Sequence, residues 1–168
     1  LETTDKSVCQ GFIQAVGKDI VIVRNYNADG DIFIFDRKTG KSLKRINRKG
    51  QGNEEYTHIQ RIVLDEDNNE IFVNDHFIKK ILVYDLDGNF KRSLKQDDDL
   101  YFSHVYNFDQ ESLICNNYWV TDKNPFTIIS KKDGRIIKEI VIPFKEKISL
   151  DLIVKDEVNN MTYGVTPQ

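Results

Sequence analysis

Ile81-Leu82-Val83-Tyr84-Asp85-Leu86-Asp87-Gly88, running through Asn89 into Phe90-Lys91-Arg92-Ser93-Leu94, reads as a β-hairpin. Aromatic and β-branched residues crowd the first run, and Asp-Gly supplies the positive φ that a tight turn needs. The run before the turn is apolar almost throughout, as a strand buried on both faces requires. The run after it alternates with Lys and Arg, as an edge strand does to discourage pairing with other chains. The same pattern occurs twice more. Ile32-Phe33-Ile34-Phe35-Asp36 passes through Thr39-Gly40 into Ser42-Leu43-Lys44-Arg45-Ile46, and Phe126-Thr127-Ile128-Ile129-Ser130 passes through Asp133-Gly134 into Ile136-Ile137-Lys138-Glu139-Ile140. Gly40, Gly88 and Gly134 stand 48 and 46 residues apart, a period close to that of a four-stranded propeller blade.

Two further strands are expected ahead of each hairpin, at residues 11–16 and 20–25, 59–65 and 70–74, and 105–108 and 112–116. Short polar turns such as Asp65-Glu66-Asp67-Asn68-Asn69 separate them. The order restarts with strands at 152–155 and 161–165. The chain therefore reads as all-β, a single partial β-propeller domain of four-stranded antiparallel sheets. Its blades span about 11–47, 59–96 and 105–142, with a fourth beginning at about 151–168. A helical reading fails because no 3.6-residue periodicity is sustained. A β-sandwich gives no reason for the four-strand unit to recur. Blades hide their apolar faces by stacking, so an open arc is expected to be completed by further blades or to self-associate.

Lys and Arg number 24 against 27 Asp and Glu, with the two signs mixed along the chain. No basic stripe marks a nucleic-acid partner. No apolar run approaches a transmembrane segment, so the chain reads as soluble. Beginning at Leu1 without a leader, it reads as a processed or excised polypeptide. Cys9 and Cys115 are the only cysteines and lack metal-ligand spacing, which excludes structural zinc and favours buried free thiols over a disulfide.

Gly50-Gln51-Gly52 lacks the Lys-Ser or Lys-Thr of a phosphate loop, and its glycines are expected to serve a turn at positive φ. Asn25, Asn27 and Asp29, like Asp65 to Asn69 and Asp85 to Gly88, offer oxygen ligands without an EF-hand's later Glu. No cofactor follows; calcium alone comes into question. His76 lies in a loop between second and third strands, where propellers often meet ligands, and no nucleophile elbow or other catalytic set accompanies it. Asn117, Tyr118 and Trp119 open the longest such loop, and rings interleaved with amides suit a sugar or peptide surface. The candidate ligand-binding residues are therefore Asn25, Asn27, Asp75, His76, Asn117, Tyr118 and Trp119, with no catalytic residue and no metal ligand assigned.

Val73-Asn74-Asp75 followed by Lys80-Ile81-Leu82-Val83-Tyr84-Asp85-Leu86-Asp87-Gly88 resembles an NHL-type repeat. The resemblance implies that Asp75 and Lys80 take the places of that family's paired acidic and basic loop residues. Leu1-Glu2-Thr3-Thr4, and Arg48-Lys49-Gly50-Gln51-Gly52 with Glu55-Tyr56 after it, resemble segments of six-bladed propeller proteins of unknown function from Gram-negative gut bacteria. That resemblance implies about three and a half blades of six, and a periplasmic or cell-surface address, often as a secreted lipoprotein. The expected function is a non-enzymatic module binding a protein, peptide or glycan. The alternative is a calcium-dependent hydrolase or lactonase, because other six-bladed propellers hold calcium in their central channel.

Overall fold

A computed structural model describes residues 11–25, 29–96, 102–116 and 126–141, together with the backbone of 152–156 and 161–165. Three four-stranded antiparallel sheets follow in chain order. The first holds β1 (Gly11–Val16), β2 (Ile20–Asn25), β3 (Asp31–Asp36) and β4 (Ser42–Asn47). The second holds β5 (Arg61–Asp65), β6 (Glu70–Asp75), β7 (Lys80–Asp85) and β8 (Phe90–Lys95). The third holds β9 (His104–Asn107), β10 (Ser112–Asn116), β11 (Phe126–Ser130) and β12 (Ile136–Ile140), and a hairpin of β13 (Leu152–Asp156) and β14 (Met161–Val165) follows. Each sheet runs in simple meander order, and its first strand approaches the first strand of the next, β1 to β5 and β5 to β9. The sheets therefore fan outward from inner strands, as propeller blades do.

The middle strands of each sheet are apolar on both faces because both faces meet a neighbour. Ile22, Ile32, Ile34 and Ile46 of the first sheet pack with Ile62, Ile71, Val73, Leu82 and Tyr84 of the second. The opposite face of the second sheet, with Phe72, Ile81, Val83 and Leu94, packs against Val105, Leu113, Cys115 and Ile129 of the third. Cys115 is a buried free thiol whose pKa burial pushes far up, so it is inert; Cys9 lies outside the described residues.

The repeat extends to details that composition does not reveal. Each third-to-fourth strand ladder carries a bulge at the same place, between Ile34 and Phe35, Val83 and Tyr84, and Ile128 and Ile129. Gly40, Gly88 and Gly134 all lie at positive φ, +71°, +86° and +80°. Gly88 seats on the Ile46 side chain and Gly134 on Leu94, so each turn closes against the outermost strand of the preceding sheet. A clasp also recurs. Arg24 and Asn74 occupy one register position, paired with Ile32 and Ile81 respectively. Arg24 Nη1 donates to the Ile59 carbonyl, and Asn74 Nδ2 donates to the Phe102 carbonyl at 2.8 Å. Each bond ties a second strand to the linker entering the next sheet. With its carbonyl committed to that clasp, Ile59 stays in the linker, and β5 starts at Arg61 rather than at 59 as expected.

Gly50 and Gly52 differ from expectation, since neither is among the positive-φ residues. Their bareness instead admits the Glu55 carboxylate, which accepts the Gly52 N–H at 2.9 Å and lies where a Gly50 Cβ would project. Close approach, the other use of glycine, explains the motif.

At the turn end of the sheets, charges staple neighbours together. Glu66 accepts the Asp19 and Ile20 N–H groups at 2.9 and 3.2 Å, joining the first two sheets. Between the second and third sheets, Lys131 is 4% exposed and reaches Asp65, also 4% exposed, at 2.5 Å. Arg92 grips Glu70 with two bonds of 2.7 Å and donates to the Lys131 carbonyl at 2.8 and 3.0 Å. Burial pushes the Glu70 carboxyl up, but Arg92 and Lys91 outweigh it and hold the group below its usual range. A carboxylate depressed in this way stabilises the fold above its unfolded pKa, and that contribution is lost as pH falls through the lower folded value. Turn donors hold Asp36, Asp109 and Asp133 low as well. The melting temperature is therefore expected to drop as pH falls below about 5, and Glu70→Gln is expected to make that drop shallower. An unchanged acid slope in Glu70→Gln, followed by calorimetry, contradicts the assignment.

Candidate functional site

Asp75 ends β6 fully buried, and its carboxylate organises the loop end of the second sheet. One oxygen accepts the Thr57 N–H, the Thr57 hydroxyl and the His58 N–H at 2.6, 2.9 and 2.9 Å. The other accepts the Phe77 N–H at 3.0 Å and the Ile78 N–H at 3.4 Å. This short side chain binds backbone in a turn as Asp readily does, and so locks the sheet-to-sheet linker to the β6–β7 loop. The acid–base pairing implied by the NHL resemblance takes another form. Asp75 and Lys80 are register partners across β6 and β7, yet the ion pairs among the described residues do not join them, because five donors already occupy the carboxylate.

Locking the loop brings together residues remote in sequence. The His58 and His76 rings meet edge to face with centroids 5.3 Å apart, and Phe77 lies 5.2 Å from His58 and 4.1 Å from His76. Phe77 is 69% exposed, the most exposed of the large hydrophobic residues described. Its ring is thus an apolar plate presented to solvent on a fixed support. Burial, then the neighbouring His76 and Arg24, lower the His58 pKa, with Asp75 opposing and Lys49 reinforcing. His58 is therefore a neutral imidazole at pH 7, able to donate and accept one hydrogen bond each.

Beside the rings lies a cleft of about 10 Å³, lined by Arg24, Gly30, Lys49, Tyr56, Thr57, His58 and Ile59. Tyr56 forms its floor, fully buried, donating to the Gly30 carbonyl at 2.7 Å and accepting the Arg48 N–H at 2.9 Å. Desolvation raises its phenol to about 12, so it stays a neutral donor. Along the inner strands, the Arg24 guanidinium covers Phe12 at 5.7 Å and Arg61 covers Tyr106 at 4.9 Å. His104 stacks on Tyr106 at 6.3 Å.

Of the seven residues singled out in sequence, Asp75 and His76 meet at this site. Asn25 stands at the end of β2 and donates to Asp29 at 2.6 Å, closing the β2–β3 loop. Asn27, Asn117, Tyr118 and Trp119 lie outside the described residues. Sequence reasoning missed Phe77, Arg24 and the meeting of His58 with His76. The repeat contained the signal, since His58 precedes and His76 follows the strand pair that Asp75 ties together. Among the described residues, no three His, Cys, Asp or Glu side chains converge as a metal site. A larger groove of about 550 Å³ at the turn end is lined by Glu70, Arg92 and Lys131, charges already committed to the staples between sheets.

The comparisons with known proteins agree with the architecture. A protein from Bacteroides fragilis NCTC 9343, described as a "Putative exported protein", superposes with a TM-score of 0.65 at 20% identity, covering 99% of this chain and 48% of its own. The WD40 repeats of RRP9 superpose at 0.56 and 15% identity, covering 80% of this chain and 40% of theirs. The WD40 β-propeller domain of Doa1 gives 0.53 and 10%, covering 74% of this chain and 37% of its own. The chain thus spans half or less of the length of these structures, and its sheets are propeller blades like those of the WD40 neighbours. Among helices of the described residues, none is long and apolar enough to cross a membrane. The comparison with curated proteins gives no match. The family model described as "Domain of unknown function (DUF4934)" matches residues 1–166, and the chain belongs to that family.

Proposed function

We propose that the chain is part of a non-enzymatic, six-bladed propeller of the cell envelope that binds a protein or peptide at the rim formed by His58, His76 and Phe77. The exposed Phe77 plate on a loop pinned by the buried Asp75 carboxylate carries this reading. A ring held in place before binding loses little conformational freedom when a partner covers it, which is how aromatic anchors dominate interfaces. The Asp75 carboxylate, saturated by four backbone N–H groups and the Thr57 hydroxyl, has a positioning role. The envelope address is supported by the likeness to a protein described as exported, and the six-bladed count by the resemblance of the blade linker.

Peptide and glycan arrays probed with the wild type and with Phe77→Ala test the reading. Peptide ligands are expected to lose about tenfold or more in affinity on removal of the ring. The melting temperature is expected to hold, since Phe77 is exposed. A blank wild-type array, binding confined to glycans, or peptide binding indifferent to Phe77→Ala each count against it.

A further inference from the structure

The rim carries a cation that the fold does not require. The clasp from a second strand to the next linker needs one N–H donor. At the equivalent position Asn74 supplies it from a neutral amide, whose oxygen in turn accepts from Gln96 Nε2 at 3.1 Å. Arg24 makes the same clasp with Nη1 alone. Its Nε is buried without a hydrogen-bond partner, and the ion pairs among the described residues do not include it. A guanidinium carries five donors, and leaving one buried and unmet is costly unless something else meets it.

The acids near Arg24 are already committed. Asp75 is held by the linker and loop N–H groups, and Asp31 by Arg45 at 2.7 Å and Asn47 at 2.8 Å. Asp29 accepts from Asn25 and the Asp31 N–H, and Glu55 from the Gly52 N–H. Lys49 lines the cleft with Arg24, so two cationic side chains border it, beside the neutral His58. The space of about 10 Å³ within it admits a group about the size of one water. A single carboxylate oxygen fits that limit.

We propose that the cleft between the first and second sheets is a carboxylate-binding site, in which Arg24 receives an acidic side chain or chain terminus of the peptide bound at the rim. This deepens the rim reading and rests on it. The incoming oxygen approaches the Arg24 side chain that lines the cleft, with Lys49 and the neutral His58 beside it. Charge-assisted bonds from a preorganised guanidinium are the stronger class, which makes Arg suited to the task.

The test follows the His58 ring proton by NMR at pH 7 and constant ionic strength, with acetate as the probe and acetamide and phosphate as controls. Acetate is expected to move the signal saturably and to raise the His58 pKa, because it offsets Arg24 and Lys49, while acetamide leaves both unchanged. Arg24→Asn should keep the clasp, as Asn74 does, retain the melting temperature and weaken acetate at least tenfold. Arg24→Lys keeps the charge without the fork and should fall between, which preserves the test if the Asn variant folds poorly. No acetate-dependent shift, an equal response to acetamide, phosphate binding as tight as acetate, or undiminished acetate binding in both variants overturns the proposal. Peptide binding that survives amidation of every carboxylate overturns this inference and leaves the rim reading intact. An acetate response without peptide binding overturns the rim reading and leaves the anion site.

Discussion

Lys131→Met is expected to lower stability by about 3–5 kcal/mol, measured by urea denaturation, because it strands a buried carboxylate. Asp65 would keep only its bonds to the Asn68 N–H and side-chain amide, while the Asp109 carbonyl would lose the ammonium now 2.5 Å away. A loss of that size is a large share of the roughly 5–15 kcal/mol that holds a typical domain folded. The pair is not itself a large net gain, since desolvating two ions offsets most of their attraction. Pairing Lys131→Met with Asp65→Asn is therefore expected to recover at least half of the loss, as the new amide can still accept from Asn68. A double variant no more stable than Lys131→Met alone would show that the two side chains do not act as a unit.

Gly134→Ala should be the most damaging change among the turns, costing about 2–4 kcal/mol. The methyl group would sit in the left-handed region at φ +80° and 2.9 Å from Leu94 Cβ, an atom close to the backbone of β8 that has little room to move. Gly88→Ala meets the Ile46 Cγ2 at 3.0 Å, further out on a side chain that can yield. Both variants bear the same backbone strain, so the difference between their urea midpoints reports the seat on the preceding sheet. Equal midpoints, or the reverse order, would remove the turn-on-strand contact from the description of blade stacking.

The hairpins were legible because two signals agree at each one: an apolar run flanked by a turn glycine, then a run punctuated by Lys and Arg. Gly40, Gly88 and Gly134 do hold positive φ at matching places. The bulges beside Phe35, Tyr84 and Ile129 left no composition signature, because a bulge inserts spacing rather than a residue type. Lys131 looks like any turn lysine in sequence, and its burial arises only when the third sheet lays it across Asp65. The Gly50 and Gly52 reading erred by assigning conformational freedom where the need was space for the Glu55 carboxylate. At the site, Asp75 and His76 were visible as loop residues. Their surroundings come from elsewhere, Thr57 and His58 from the linker before β5 and Arg24 from β2, which one-dimensional spacing does not connect.

The sheets adhere through strand side chains, turn glycines and charged staples, and the loop after β6 adds Ile78 to the shared core and the tether at Asp75 while leaving Phe77 outside. The corresponding connection after β10 is longer in sequence, spanning 117–125 against 76–79. Substitutions at the exposed Phe77 position are thereby uncoupled from the packing between sheets, so descendants of one ancestral scaffold can diverge in what that position recognises while inheriting the same architecture.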